Sequence, residues 1–342
     1  MRIIATMMVR DEIDIVAAMV EHHVAQGVDL LIVTDNGSVD GTTEVLRAYA
    51  RTGHVELHHD PVHRKQQGEV VTRMARRART EHRADWVLNL DADEFLVPID
   101  RSSTVRECLE QTSLALNAFT VPATNLVGPP AWAGSGVGRL EWLDHRTAEQ
   151  LQTIGIWAQP TPTAVHRGES DVTVAQGNHF VSLMSNGQPP ESVAMELLHL
   201  PWRSWDQLER KVLNAGRSYE NNPDLRPSPN HHGMKDYRRY QEGWLREAYL
   251  ARTPTRAELR AGEADGTYAV DAWLTQQLRG LVGRAVAPAA LRSVVDAAND
   301  DPVPDDEHES GASTGRARLA AEEPMRPRGE PTTLQQAARS MR

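Results

Sequence analysis

The chain has one cysteine, Cys108. That excludes an intrachain disulfide and a cysteine-based zinc site, and nothing around it marks a nucleophile. Cys108 reads as a core or helix residue. Phenylalanine is also scarce, with three against six Tyr and eight Trp. Several of the Trp fall in loop-like contexts, where an indole makes a platform. Positive charge does not dominate: a formal net charge of −10 argues against general affinity for nucleic acid. No apolar run reaches the ~20 residues that span a bilayer. The first residues read as a strand rather than as a secretory leader. Together these absences predict a cytoplasmic protein in a reducing setting, without a transmembrane segment and with at most peripheral membrane contact. What is present is 40% hydrophobic residues in a chain of 342, enough for one large α/β domain with extensions.

Periodicity orders the first hundred residues. Residues 3–9 form an apolar strand. A helix follows, capped by Asp11 or Asp14, with Ile13, Val16, Ala17 and Val20 on one stripe and its end near Gly27. Residues 28–33 make a second strand, 54–58 a third and 86–90 a fourth, with helices starting at Thr42 and spanning 67–79. The order βαβαβαβ predicts a Rossmann-like, mostly parallel sheet flanked by helices. Ligands of such sheets bind beyond the strand C-termini, so the loops after the second and fourth strands should face one crevice. Beyond residue 100 the pattern weakens. Helices are expected at 104–116, 205–216, 235–251, 255–261, 268–281 and 288–298. Strands are expected at 118–122, within 163–185 and from 196 to a break at Pro201, and loops at 127–138 and 221–233. The division that results is a catalytic unit over 1–220, a helical extension over 221–299 and a disordered tail over 300–342, where large apolar residues thin out.

The sharpest chemistry lies at the end of the fourth strand, in Asp91-Ala92-Asp93-Glu94. In extended geometry Asp91 and Asp93 project to one side. Two such carboxylates call for a cation or a shared proton between them. Mg²⁺ or Mn²⁺ suits them, with phosphates completing the coordination. The plainer reading is a loop cap. In the loop 34–42, Asp35 ends a buried strand and can accept hydrogen bonds from a base imide or a ribose. Asp40 and Thr42 would cap a helix whatever the function. Arg203 and the amides after Ser204 suit a diphosphate, and His199 suits a nitrogen ligand to a metal. Lys211, further along that helix, reads as solvated. His179 follows Gly177-Asn178, and a lone His is more often structural than a ligand. The pairs His22-His23, His58-His59 and His231-His232 lack the i, i+4 spacing of a zinc site on a helix.

These pieces, in this order, resemble the family 2-like glycosyltransferases of the GT-A fold. The opening Met8-Val9-Arg10-Asp11-Glu12, the helix through Glu21-His22-His23, the nucleotide loop 34–42 and the DxD motif at 91–93 carry the likeness. Gly177-Asn178-His179 and His199-Leu200-Pro201-Trp202-Arg203-Ser204 continue it, to roughly residue 220. The resemblance implies metal-dependent, inverting transfer of a sugar from a nucleotide-diphosphate sugar to the hydroxyl of a carbohydrate or other acceptor. Candidate donor contacts are Arg10, Glu12, Asp35, Asn36, Ser38, Lys65, Asp91, Ala92, Arg203 and Ser204. Candidate metal ligands are Asp91, Asp93 and His199. The catalytic base is sought among Glu191, Glu196 and His179, ahead of Asp144 and Glu141. Trp132, Trp142 and Trp157 would stack on a sugar or belong to the core. Three rivals are weighed. A haloacid-dehalogenase-type phosphatase carries its DxD near the N-terminus, and a nucleotidyltransferase has a Gly-rich basic loop after its first strand. Neither pattern is present. A non-catalytic module of the same fold is the third.

Overall fold

The computed structural model of the protein describes residues 1–157, 160–222, 224–225, 227 and 231–322. The first half alternates as its periodicity predicts: β1 (Ile3–Val9), α1 (Val16–Ala25), β2 (Leu30–Asp35), α2 (Thr42–Ala50), β3 (Val55–His59), α3 (Gln67–Thr80) and β4 (Trp86–Asn89). Then come β5 (Glu94–Pro98), α4 (Val105–Gln111), β6 (Ala118–Val121), β7 (Ala123–Val127), β8 (Ala131–Ala133), β9 (Trp142–Asp144) and α5 (Ala148–Thr153). β10 (Thr163–Arg167), β11 (Met195–His199), α6 (Trp205–Glu220), α7 (His232–Gln241) and α8 (Leu245–Arg252) lead into the last part. That part holds α9 (Arg256–Asp265), β12 (Tyr268–Val270), α10 (Trp273–Leu281), α11 (Pro288–Val295), β13 (Asp301–Pro302) and α12 (Asp305–Ala321).

Six strands form the main sheet in the order β3-β2-β1-β4-β10-β6. The first four are mutually parallel and β10 runs against both its neighbours. Residues of β1, β2 and β4 are almost wholly buried, as expected of parallel strands covered on both faces. One polar pair lies inside this sheet: Thr6 Oγ1 donates to Asn89 Oδ1 at 2.7 Å, between strands in register. A second sheet has the order β12-β9-β7-β11-β5. The chain passes from β4 of one sheet to β5 of the other in four residues, Leu90 to Asp93. The DxD segment is therefore the junction between the two sheets. His22 and His23 support that junction from α1. His22 Nε2 meets Leu96 O at 2.8 Å, and the His23 ring stacks on Phe95.

Several expectations change. The Asp11 and Asp14 side chains cap nothing: α1 starts at Ile15 without a side-chain cap, and both acids turn towards α6 instead. The loop 127–138 contains β8 and the expected helix 268–281 begins as β12. The stretch 180–183 makes a single β-bridge, Val174 to Val181. The expected helix 235–251 is two helices, interrupted at Gly243 (φ +75). Most of the expected tail that is described is α12, packed on α8. Gly315 lets the two backbones meet, since an added Cβ would lie 2.0 Å from Glu247 O. Composition hides such an interface because small residues build it. Residues 323–342 of the expected tail lie outside the described residues. No helix among those described is long and apolar enough to cross a membrane.

Candidate functional site

A cleft opens where the C-terminal ends of β1, β2 and β4 meet one face of α6, from Lys211 to Ser218. Met8, Val9, Arg10 and Glu12 line it from the β1 end, and Asn36 from the β2 end. Residues 63–67 form one wall and Asp91, Ala92 and Asp93 the floor. Lys211, Asn214, Ala215 and Ser218 line it from α6, at the i, i+3, i+4, i+7 spacing of one helix face. The crevice between the Asp35 and Asp91 loops is thus present, with α6 as a third side.

Asp91 and Asp93 do not point the same way. The segment turns instead of staying extended: Glu94 N donates to Asp91 O at 3.2 Å, and Asp91 N donates to Glu94 Oε2 at 2.9 Å. Asp91 Oδ1 accepts from Gln67 Nε2 at 2.7 Å and from Asn178 Nδ2 at 2.9 Å. Asn178 reaches it from a left-handed backbone (φ +63). Asp93, 2% exposed, faces the cations. Its Oδ2 accepts from Lys211 Nζ and stands 3.5 Å from Arg203 Nη1 and 3.7 Å from His199 Nε2. The two carboxyls therefore titrate apart. Burial, then the charge on Asp93, pushes Asp91 up. Burial would push Asp93 up too, but Lys211, His199 and Arg203 outweigh it and hold the group well below the usual carboxylate range. Glu94 is raised well above its ordinary value, first by burial and then by Asp91.

His199 sits at the end of β11, in register with Glu94 on one side and Asn125 on the other. Its Nδ1 lies 2.9 Å from Asn125 Oδ1. The Asn125 amide oxygen accepts from Nδ1 and so fixes the ring with Nε2 towards Asp93. A borderline-hard divalent ion fits this pair of donors, and Asn125 is the outer partner that fixes the ring. Asp91 is held by Gln67 and Asn178. Among the described residues no three His, Cys, Asp or Glu side chains are arranged to hold a metal.

Arg203 is placed otherwise than expected. It is 0% exposed and does not line the cleft. Its Nε donates to Asp14 Oδ2 at 2.7 Å and its Nη2 to Glu12 Oε2 at 2.6 Å. With Asp93 this makes one guanidinium among three carboxylates, committed to the protein rather than to a diphosphate. Glu12 is pushed up to about 7 by burial, against Arg203 and with help from Asp14 and Asp93. Ser204 is a buried N-cap whose Oγ accepts from Gln207 N at 3.4 Å; the first turn of α6 is closed by its own side chain.

Asp35 is likewise committed. Its Oδ1 accepts from Ser38 N at 2.9 Å and its Oδ2 from Thr43 Oγ1. These bonds outweigh burial and lower its pKa. Asp35 is fully buried and shapes the loop instead of lining the cleft. Ser38 Oγ accepts from Asp11 N at 3.0 Å, and Asp40 accepts from Thr42 N at 3.0 Å, the plain capping role. Asn36 does line the cleft. Its amide donates to Asp60 O and Val62 O, both at 2.8 Å, and its carbonyl accepts from Arg10. Lys65 lines the cleft with its amine lowered by burial against the pull of Asp91.

The candidate bases separate. Glu196 alternates with His199 on β11, so it points to the other face, where Arg101 Nη2 donates to it at 2.7 Å. Glu191 is exposed in a short 3₁₀ turn, Glu191–Val193, away from the cleft. Asp144 is paired with Arg146 at 2.7 Å. His179 is the one that stands in the electrostatic reach of Asp91; burial lowers its pKa and Asp91 opposes this. Sequence reasoning missed Gln67, Asn125, Asn178 and Asn214 as site residues. Neutral amides carry no motif, and only their partners reveal them. The Trp platforms are elsewhere: Trp132 lies under the Arg246 guanidinium at 4.2 Å and Trp157 under Lys235 at 5.0 Å.

Residues 4–115 match the model of glycosyltransferase family 92, so the segment from β1 to the end of α4 is similar to a glycosyltransferase family. The expected family 2 is not the one matched. No curated protein matches the chain. Among solved structures, S. aureus TarS 1–349 aligns over 97% of this chain and 98% of its own, at 12% identity and a TM-score of 0.35. The same protein in complex with UDP-GlcNAc aligns over the same shares at 12% identity and a TM-score of 0.33. Glucosyl-3-phosphoglycerate synthase from Mycobacterium tuberculosis, in complex with Mn²⁺, UDP and glucosyl-3-phosphoglycerate, aligns over 48% of this chain and 56% of its own. There the identity is 16% and the TM-score 0.27.

Proposed function

We propose that the protein is a glycosyltransferase that moves a sugar from a nucleotide-diphosphate sugar to an acceptor hydroxyl. The observation that carries this is Asp93 at the floor of a cleft whose walls bear Arg10, Lys65 and Lys211, with His199 Nε2 behind it, 3.7 Å from its Oδ2. Two oriented donors with open positions beside them suit a divalent ion that takes its other ligands from phosphate and water. The similarity of residues 4–115 to a glycosyltransferase family supports the same reading.

In this scheme Asn36 and Arg10 face the nucleoside end. Lys65 meets the phosphates as a cation. Asp93 and His199 would hold Mn²⁺ or Mg²⁺, which when bound supplies positive charge to the departing diphosphate. Arg203 holds Asp93 in place from behind and keeps it ionised. Asp91, fixed by Gln67 and Asn178, faces the sugar. An inverting course needs a proton acceptor on the opposite side of the sugar, and we assign it to His179. Its imidazole is kept neutral by burial and is therefore able to accept the acceptor's proton.

The test is a thermal-shift screen of nucleoside diphosphates with and without Mn²⁺, followed by assay of the matching nucleotide sugars for release of the diphosphate. One nucleotide should raise the melting temperature in a metal-dependent way. If no nucleotide does so at millimolar concentration, the donor site is not there.

A further inference from the structure

Lys211 is expected from sequence to be solvated, yet its ammonium is bonded to Asp93 Oδ2. That oxygen is the one facing His199 Nε2. The side chain is 40% exposed, with a flexible four-carbon stem on the cleft-facing stripe of α6. It joins a buried acid to an open cleft.

Resting on the donor reading above, we propose that Lys211 is a counter-ion that exchanges partners. Without donor it occupies the Asp93 oxygen and weakens metal binding there. When a metal-bound nucleoside diphosphate enters, the ammonium leaves Asp93 and bonds a phosphate oxygen. The argument is electrostatic. An ammonium and a divalent ion cannot share one carboxylate oxygen without strong repulsion, and the incoming diphosphate brings the negative charge that gives Lys211 its second partner. Arg203 has no such freedom: it is buried and bonded to Glu12 and Asp14. Metal and nucleotide should therefore bind with positive coupling, each favouring the release of Lys211 that the other needs.

The experiment measures Mn²⁺ affinity by electron paramagnetic resonance, with and without the nucleoside diphosphate found by the screen, in the full chain and in Lys211→Met and Lys211→Arg. Lys211→Met should bind Mn²⁺ alone at least ~5-fold more tightly than the unaltered protein. It should bind the nucleotide in the presence of Mn²⁺ about 10-fold more weakly, so that most of the coupling is lost. Lys211→Arg keeps the cation at Asp93 and should retain weak Mn²⁺ binding without nucleotide. If Lys211→Met folds and its nucleotide-free Mn²⁺ affinity is unchanged or weaker, the exchange is wrong while the donor reading survives. If Lys211→Met does not fold, an Lys211→Arg protein that binds Mn²⁺ alone more tightly than the unaltered one overturns the exchange equally. An unaltered protein that binds no nucleotide with Mn²⁺ removes both.

Discussion

Arg203 Nη2 and Glu12 Oε2 lie 2.6 Å apart although 191 residues separate them in sequence. This bond ties the start of α6 to the end of β1, and Asp14 and Asp93 share the same guanidinium. Removing it leaves the buried Asp93 and the half-buried Glu12 and Asp14 without their common cation. Arg203→Met should lower unfolding free energy by about 3–5 kcal/mol in urea titration, the scale of a broken buried ion pair. Arg203→Lys, which keeps the charge without the fork, should fall between. A loss under 1 kcal/mol in the methionine variant would return Arg203 to the role of a ligand contact.

Asn125 acts on the site through His199. Its Nδ2 has no hydrogen-bond partner among the described residues, so the bond to His199 is what its amide contributes. Asn125→Ala should weaken the metal-dependent thermal shift by 10- to 100-fold in apparent Mn²⁺ affinity, the usual effect of an outer partner of a ligating His. Its unfolding midpoint without metal should move little. Unchanged metal affinity would remove His199 from the ligand set.

The three acids of the sequence reading make separate predictions. Asp93→Asn should reduce release of diphosphate from the donor sugar by at least ~10²-fold, in line with the loss of a metal ligand. Glu191→Gln should leave turnover unchanged. Glu196→Gln should cost stability of about 1 kcal/mol or less through its ion pair with Arg101, with turnover kept. A steady-state assay on the three variants separates a base on β11 from none there.

Acid stability should follow Asp236. Burial opposes its ionisation, but Arg252 and Arg239 outweigh it and bring its pKa to about 2 from an ordinary 3.8. A lowered carboxyl contributes stability that is present above its unfolded pKa and is lost as pH falls through the folded one. Circular dichroism should show the native state weakening between about pH 4 and pH 2. Asp236→Asn should flatten this dependence and destabilise the neutral protein, because Arg239 and Arg252 are both buried. A variant with the same acid slope as the unaltered chain would place that stability elsewhere.

Periodicity along the chain is enough to read the four parallel strands of the main sheet and a crevice at their C-terminal ends. Local periodicity is enough for buried parallel strands and amphipathic helices, and the βα order then puts the Asp35 and Asp91 loops at the same edge. It also marked Asp93 and His199, because charged residues ending apolar strands are visible without a partner. Which charges meet is settled by the folded chain alone. Asp35 and Arg203 read as ligand contacts from their positions, but Asp35 is bonded within its own loop and Arg203 donates to Asp14 and Glu12 near the start of the chain. Lys211 read as solvated, and a single contact with Asp93 makes it part of the site. Glu196 and His199 lie three residues apart on one strand, and their alternation turns His199 to Asp93 and Glu196 to Arg101 on the other face. α12 escaped notice because glycine and alanine leave no apolar pattern where helices touch. Periodicity is a property of neighbours in the chain. Electrostatic partnership is a property of neighbours in space, and the turn at Leu90–Asp93, which carries the chain from one sheet to the other, is what converts the first into the second.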